Sequence, residues 1–205
     1  QKETGSRLHL THISTPGSVE SIRQAKKQQP NVTADVTPHH LLLNEELIDR
    51  SAAVYKVKPP IRTEQDRLAL VAGIQDGTID CIASDHAPHA AEEKNRTFEE
   101  APFGIIGMET SFPVIYDRLV KNKIISLKRL IELFSTNPAR VLGLEDRGMV
   151  KPGLPADLTI MNLDESFEIT KDFFHSKSNN CPFTGWQGRG VIAYTIVEAK
   201  IVYQQ

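Results

Sequence analysis

The chain has 205 residues, 40% of them apolar, which is enough for one large domain, or a medium one plus a small one, to bury a core. Its 24 basic and 26 acidic residues are interspersed and leave a formal net charge of −2; no basic run with interleaved aromatics suits a nucleic-acid backbone, so nucleic acid is not an expected partner. No stretch reaches the roughly 18 apolar residues of a membrane span, and two cysteines, Cys81 and Cys181, are too few for a disulfide framework, so a soluble protein of the reducing cytoplasm with no membrane partner is expected.

The N-terminus, QKETGSRLHL, has no initiator methionine and no apolar signal region, and passes within a few residues into a strand pattern. It reads as the interior of a longer protein. Residues 7–14, RLHLTHIS, alternate, with Leu8, Leu10 and His12 on one face and His9 and Thr11 on the other, and TPGS follows as a turn signal. Val19, Ile22 and Ala25 then recur at helical spacing, closed by Pro30. VTADV (32–36) is a second strand, residues 68–74 a helix ended by Asp76-Gly77, and residues 79–83 a short apolar run that reads as a third, buried strand. Strand, helix, strand, helix, strand is the pattern of parallel α/β architecture.

Downstream, Leu127, Leu130, Ile131 and Phe134 fall at i, i+3, i+4 and i+7 of an amphipathic helix, and Asn137-Pro138 supplies an N-cap and a first-turn proline for another. From about Gly148 the texture changes to β-branched runs separated by Gly, Pro and Asn. The expected division is an α/β part over residues 1–147 and a small β-sandwich-type domain over residues 148–205, with HSKSNNCPFTGW as a long loop between its strands.

Three strand ends carry polar groups: His12 after the first, Thr37-Pro38-His39-His40 after the second, and Asp85 to His89 after the third. In a parallel barrel or sheet these ends share one rim, so residues distant in sequence converge there. Imidazole and carboxylate are the usual ligands of a catalytic zinc ion, which makes a metal-assisted hydrolase the sharp hypothesis. The bland one is that each histidine is a hydrogen-bonded structural residue. His39 and His40, adjacent on an extended backbone, would point oppositely, so at least one is structural. Asp85 stands out, because a carboxylate directly after a buried strand must be paired, coordinated or exposed. His86 is expected to pack or hydrogen-bond away from Asp85, His89 to reach back over the pocket, and His175 to anchor its loop. Gly104 and Gly107 in FGIIGMET match neither a dinucleotide fingerprint nor a phosphate loop, no G-x-S-x-G elbow is present, and neither cysteine has a histidine partner nearby in sequence.

Eight blocks in order, HLTHIST, ADVTPHHLLL, YKVKPPIRTEQDR, IASDHAPH, APFGIIGMET, STNPARVLGL, GLPADLTI and HSKSNNCPFTGW, closely resemble the C-terminal half of bacterial-type dihydroorotases of the amidohydrolase superfamily. The resemblance implies the C-terminal part of a (β/α)8 TIM-like metal-dependent hydrolase barrel, strands six to eight, plus a small β domain. It implies two zinc ions per intact chain, with His12 and Asp85 as metal ligands and Asp85 also as the catalytic proton shuttle. His89, Phe103 and Gly104 match substrate-binding positions, whereas His39 and His40 are not ligands in the family. Asp35 stands where many relatives have glutamate, and Lys58 where dihydroorotases usually have a substrate-binding asparagine. Two roles stay open for the Lys58 ammonium: pairing with a substrate carboxylate, or filling the pocket.

The implied reaction is the reversible hydrolysis of dihydroorotate to N-carbamoyl-L-aspartate in pyrimidine biosynthesis, acting on a small-molecule substrate. The remaining ligands fall upstream of this chain, which alone is expected to be inactive. Another cyclic amidase, for hydantoin or allantoin, and a non-catalytic scaffold subunit are the rivals. The family is compatible with a homodimer or with association with aspartate transcarbamoylase.

Overall fold

The computed structural model describes residues 4–29, 31–49 and 51–205. Pro30, the expected helix stop, lies outside them. Three parallel strands, β1 (Leu8–Leu10), β2 (Val32–Val36) and β3 (Cys81–Ile82), form one sheet in the order β1-β2-β3. The crossover from β1 to β2 is α1 (Pro16–Gln28), and the longer one from β2 to β3 contains α2 (Pro38–Leu42) and α3 (Glu64–Asp76).

Local chemistry explains these bounds. The TPGS segment is not a free turn: Thr15 caps α1 by accepting from the Ser18 amide, and Pro16 occupies the first helical turn, where its missing N–H costs nothing. Thr63 and Asp66 form a reciprocal capping box at the start of α3, and Gly77 ends it in the left-handed region (φ 84°) that favours glycine. Val19 and Ile22 of α1 and Leu70 and Ile74 of α3 are buried in the same cluster as Ala34, Val36 and Ile82 of the sheet. The strands are shorter than the apolar pattern predicts. Beyond β3 itself the ladder continues only as single bonds, Asp80 N–H to Ala34 O and Ala83 N–H to Val36 O.

Residues 127–142 run as one helical course rather than two helices. α4 (Ser111–Ile115) continues into a π turn over Tyr116–Val120; after a short turn, α5 (Leu127–Ile131) passes through a second π turn, Glu132–Thr136, into α6 (Asn137–Leu142). Asn137 therefore does not begin a helix by capping it. Its backbone is already helical, and its side-chain amide instead donates to the Asp80 carbonyl at the foot of β3. Leu130 and Leu133 face the core, while Ile131, expected on the same face, is exposed.

The second sheet is antiparallel, in the order β4 (Leu158–Glu168), β5 (Gln187–Val197), β6 (Lys200–Gln204). Hydrophobic packing does not stop at residue 148, because Phe167, Ile169, Cys181, Phe183 and Val191 share one cluster with Val114, Ile115 and Leu119. Two glycines let β5 reach the helical layer. A Cβ at Gly188 would lie 2.6 Å from Asp117 Cγ, and one at Gly190 (φ 103°) would overlap the Tyr116 ring. Asp117 completes the junction by accepting from the Arg189 amide at 2.9 Å.

Gly190→Ala combines overpacking with a disfavoured backbone, and is expected to destabilise the folded protein by on the order of 3 kcal/mol. Gly17→Ala, in open space on α1, is expected to be neutral or slightly stabilising. Urea unfolding midpoints of the two variants test the contrast; equal midpoints would remove the glycine junction from the account.

Candidate functional site

The register His9↔Thr33 places His9 and Thr33 side by side on the sheet face that also carries Asp35, opposite the face covered by the helices. Asp35 is 4% exposed. Its Oδ2 accepts from His9 Nε2 at 2.9 Å, which requires a proton on that nitrogen, and His9 Nδ1 pairs with Thr33 Oγ1 at 2.8 Å. Simple alternation would send His12 to the face away from His9. It does not, because His12 adopts a left-handed backbone (φ 55°) just past the end of β1. Its amide donates to Asp35 Oδ1 at 2.8 Å, and its ring follows, with Nδ1 3.3 Å from the same oxygen. Both histidines thus converge on one carboxylate.

Asp85 has the same unusual backbone, φ 48°, at the end of the third strand. Its Oδ1 lies 3.4 Å from His12 Nε2. The Asp35 carboxylate, foremost, raises the His12 pKa against the lowering effect of burial, and Asp85 adds to the rise. Burial opposes ionisation of Asp35, but the hydrogen bonds and charge it meets at His12 and His9 outweigh it and hold the carboxyl below its ordinary value. Burial pushes the Asp85 carboxyl up, His12 pulls it back, and Asp35 adds to the rise. His86 turns away as expected: its Nδ1 accepts from the amides of Gly107 and Met108, both at 3.2 Å, which ties the residue after Asp85 to the following loop.

A second group forms around that loop. His89 Nε2 donates to the Phe103 carbonyl at 2.9 Å, and Gly104 takes a φ of 133° that leaves no room for a side chain, since a Cβ would lie 2.9 Å from that same Nε2. The Gly104 amide donates to Lys56 O, and its carbonyl accepts from Asn180 Nδ2 at 3.1 Å. Ser178 Oγ donates to the His89 carbonyl at 2.7 Å. The structure therefore brings His12 to Asp85, and His89 to Phe103 and Gly104, joined through residues 85–89. Lys58 joins neither group: it is exposed, and among the described residues its side chain makes no hydrogen bond or ion pair with either. Sequence reasoning missed His9, Ser178 and Asn180. Strand alternation separates His9 from His12, and nothing in the spacing of the SNN run marks it as more than a connection.

His39 and His40 are not on an extended backbone. They sit in α2, whose N-cap is Thr37, and both are buried, with ring centroids 4.5 Å apart. His40 bonds through both nitrogens, Nδ1 to Thr37 Oγ1 at 2.7 Å and Nε2 to Pro59 O at 3.1 Å. The ring of His175 meets Tyr203 edge-on instead of anchoring its loop by a hydrogen bond. Burial foremost pushes the Cys81 thiol up to about 12 and Cys181 up to about 11, so neither supplies a thiolate at neutral pH.

No set of three or more His, Cys, Asp or Glu side chains arranged to hold a metal ion occurs among the described residues. The pair His12 and Asp85 nevertheless fits part of such a site. Two ligands bound at about 2.1 Å in tetrahedral geometry stand about 3.4 Å apart, which is the separation of His12 Nε2 from Asp85 Oδ1.

The amidohydrolase family model matches residues 4–202. The chain belongs to the amidohydrolase family. Among curated relatives, a dihydroorotase of Caldanaerobacter subterraneus subsp. tengcongensis is 46% identical over 204 residues, covering 100% of this chain and 47% of the relative. A dihydroorotase of Bacillus thuringiensis is 49% identical over 197 residues, covering 96% and 46%. The L-hydantoinase of Arthrobacter aurescens superposes with a TM-score of 0.88 at 30% identity, over 100% of this chain and 46% of that one. The D-hydantoinase of a Thermus species, with a TM-score of 0.90 at 23% identity, shares the fold. The chain spans about half the length of the curated relatives it matches, and its parallel part is a partial α/β barrel.

Burial, above all, lowers the pKa of His40 from 6.5 to about 4. The unfolded chain therefore takes up that proton first as pH falls. The stability contribution is full above about 6.5 and is lost progressively towards about 4, by roughly 2 kcal/mol between pH 7 and pH 5. Urea unfolding at the two pH values checks this; His40→Gln is expected to flatten the dependence.

Proposed function

We propose that the protein carrying this chain is a zinc-dependent dihydroorotase, reversibly hydrolysing the cyclic amide of dihydroorotate to N-carbamoyl-L-aspartate. The observation that carries the reading is the convergence of His12 and Asp85 from the ends of two parallel strands, at ligand-to-ligand spacing, in a chain whose 46–49% identical relatives are dihydroorotases. A zinc ion held with their help supplies Lewis-acid polarisation and a water that ionises near neutral pH.

The chain's own residues then have separable tasks. Asp85 accepts the proton of the attacking water and delivers it to the departing ring nitrogen; in the cyclisation direction the same carboxylate runs the transfers in reverse. The short link between strand and loop supports this, because His86 fastens the backbone beside Asp85 to the amides of Gly107 and Met108. His12 keeps Nε2 turned to Asp85, and Asp35, held in turn by His9, anchors its backbone.

His89, Phe103 and Gly104 form the substrate-facing group. Phe103 is 53% exposed and stands available to flank a bound cyclic amide, whereas Gly104 is buried: the missing Cβ there makes room for His89 and Ala87, and its amide and carbonyl are both engaged within the protein. Lys58, where a dihydroorotase usually has asparagine, is the feature that favours a second reading, a hydantoin- or allantoin-type amidase.

Asp85→Ala is expected to lower carbamoyl-aspartate cyclisation by a factor of about 1,000 or more with the fold intact; wild-type turnover in that variant would refute the proton shuttle. Initial rates with dihydroorotate, hydantoin and allantoin decide the substrate class. Elemental analysis is expected to find about two zinc ions per full-length chain, and none held stoichiometrically by residues 1–205 alone, since His12 and Asp85 give only two of the roughly four ligands a tight site needs. Absence of metal from the full-length protein would favour a scaffold role.

A further inference from the structure

The loop that presents Phe103 and Gly104 is fastened in an unusual way. Burying an ammonium group is costly unless it is paired, and the customary partner is a carboxylate. Lys56 is 8% exposed and Lys94 is half-buried, yet among the described residues neither has a carboxylate within ion-pair reach. Both spend their charge on the same short loop. Lys56 Nζ donates to Glu99 O at 2.8 Å and lies 4.8 Å from the Phe103 ring centroid and 5.4 Å from that of Phe98. Lys94 Nζ donates to Pro102 O and to Gly104 O, both at 3.0 Å.

Three consecutive carbonyls are therefore gripped from one segment: Pro102 and Gly104 by Lys94, and Phe103, between them, by His89. Lys56 holds the loop a second time through its backbone, whose carbonyl accepts the Gly104 amide at 2.9 Å. The two ammonium groups are close enough to feel each other. Burial foremost, and then the charge of Lys56, lowers the Lys94 pKa. A surface lysine with a merely solvated head would make none of these contacts.

We infer that Lys56 and Lys94 are positioning residues that clamp residues 98–104 and thereby place Phe103 and Gly104 against a bound cyclic amide. The inference rests on the reading of those two residues as substrate contacts. Lysine is suited to the task because its compact ammonium carries three donors and satisfies several carbonyls at once, which an aliphatic side chain of similar length cannot do.

The test uses the full-length protein with Lys94→Met, Lys56→Met and Lys94→Arg, read by amide hydrogen exchange and by steady-state kinetics with dihydroorotate. Each methionine variant is expected to speed exchange over residues 97–104 about tenfold or more while α3 keeps its wild-type protection. KM is expected to rise about tenfold with kcat changed by no more than about twofold, and Lys94→Arg is expected to recover part of the loss. Wild-type loop exchange and wild-type KM in both methionine variants would overturn the clamp. So would loosening spread equally over α3, or a fall in kcat at constant KM. If the wild-type protein opens no cyclic amide, the functional reading fails, and the loop exchange still decides the clamp by itself.

Discussion

A carboxylate that is 4% exposed inside a parallel sheet cannot be left to itself, and the way Asp35 is satisfied organises the first half of the site. One oxygen takes the His9 Nε2–H from the neighbouring strand. The other takes the backbone N–H of His12, which requires the chain to abandon the extended conformation at that residue. A left-handed histidine costs of the order of 1–3 kcal/mol, and a charge-assisted bond to a buried carboxylate is of sufficient size to offset it. The ladder resumes directly afterwards, where the Ile13 amide donates to the Asp35 carbonyl. Asp35 thus sets both the backbone turn and the direction of the ring that meets Asp85.

Asp85 shares the left-handed backbone at the end of the third strand, where the adjacent His86 side chain takes the amides of Gly107 and Met108. Two strand ends, each bent into the left-handed region, present a nitrogen and an oxygen to one point. The second group, His89 with Phe103 and Gly104, is held from outside the parallel sheet. Ser178 and Asn180 reach it from the long connection between β4 and β5, so the antiparallel part contributes to the geometry of the site although it supplies none of the candidate ligands. That contribution requires close docking of β5 on the helical layer, where Gly188 and Gly190 leave room for Asp117 and Tyr116. Removing the side chains at two strand positions is what allows the two sheets to share one core.

The polar groups of the site divide by what surrounds them. Those near the His12–Asp85 pair form a chain of charges, in which Asp35 and Asp85 move in opposite directions because one gains hydrogen bonds and the other chiefly loses water. The nearby histidines of α2 are neutral instead, buried with their rings against each other. The thiols, equally buried, are inert. Burial alone, burial with hydrogen-bond partners and burial beside a like charge thus shift these groups in different directions.

Much of the architecture was legible in one dimension. Apolar spacing located α1, α3 and the three parallel strands, Gly77 marked the end of α3, and the run of apolar residues into Asp85 pointed to a strand tip carrying chemistry. These features rest on local periodicity and on the special backbone freedom of glycine, both of which a sequence displays directly. Strand alternation then misled. It puts His9 and His12 on opposite faces and His39 and His40 on an extended segment, while the Asn137-Pro138 capping signal starts a helix at Asn137. At His12 and Asn137 the difference comes from a bond to a distant group, the His12 amide to the Asp35 carboxylate and the Asn137 side chain to the Asp80 carbonyl, whereas His39 and His40 are helical because Thr37 caps α2. The sequence by itself determined which residue types stand at the strand ends. Only the tertiary structure decided which of them meet, because the meeting depends on buried groups that find partners far along the chain, Asp35 at 23 positions from His12 and Asp80 at 57 from Asn137, and override the local preference of the chain.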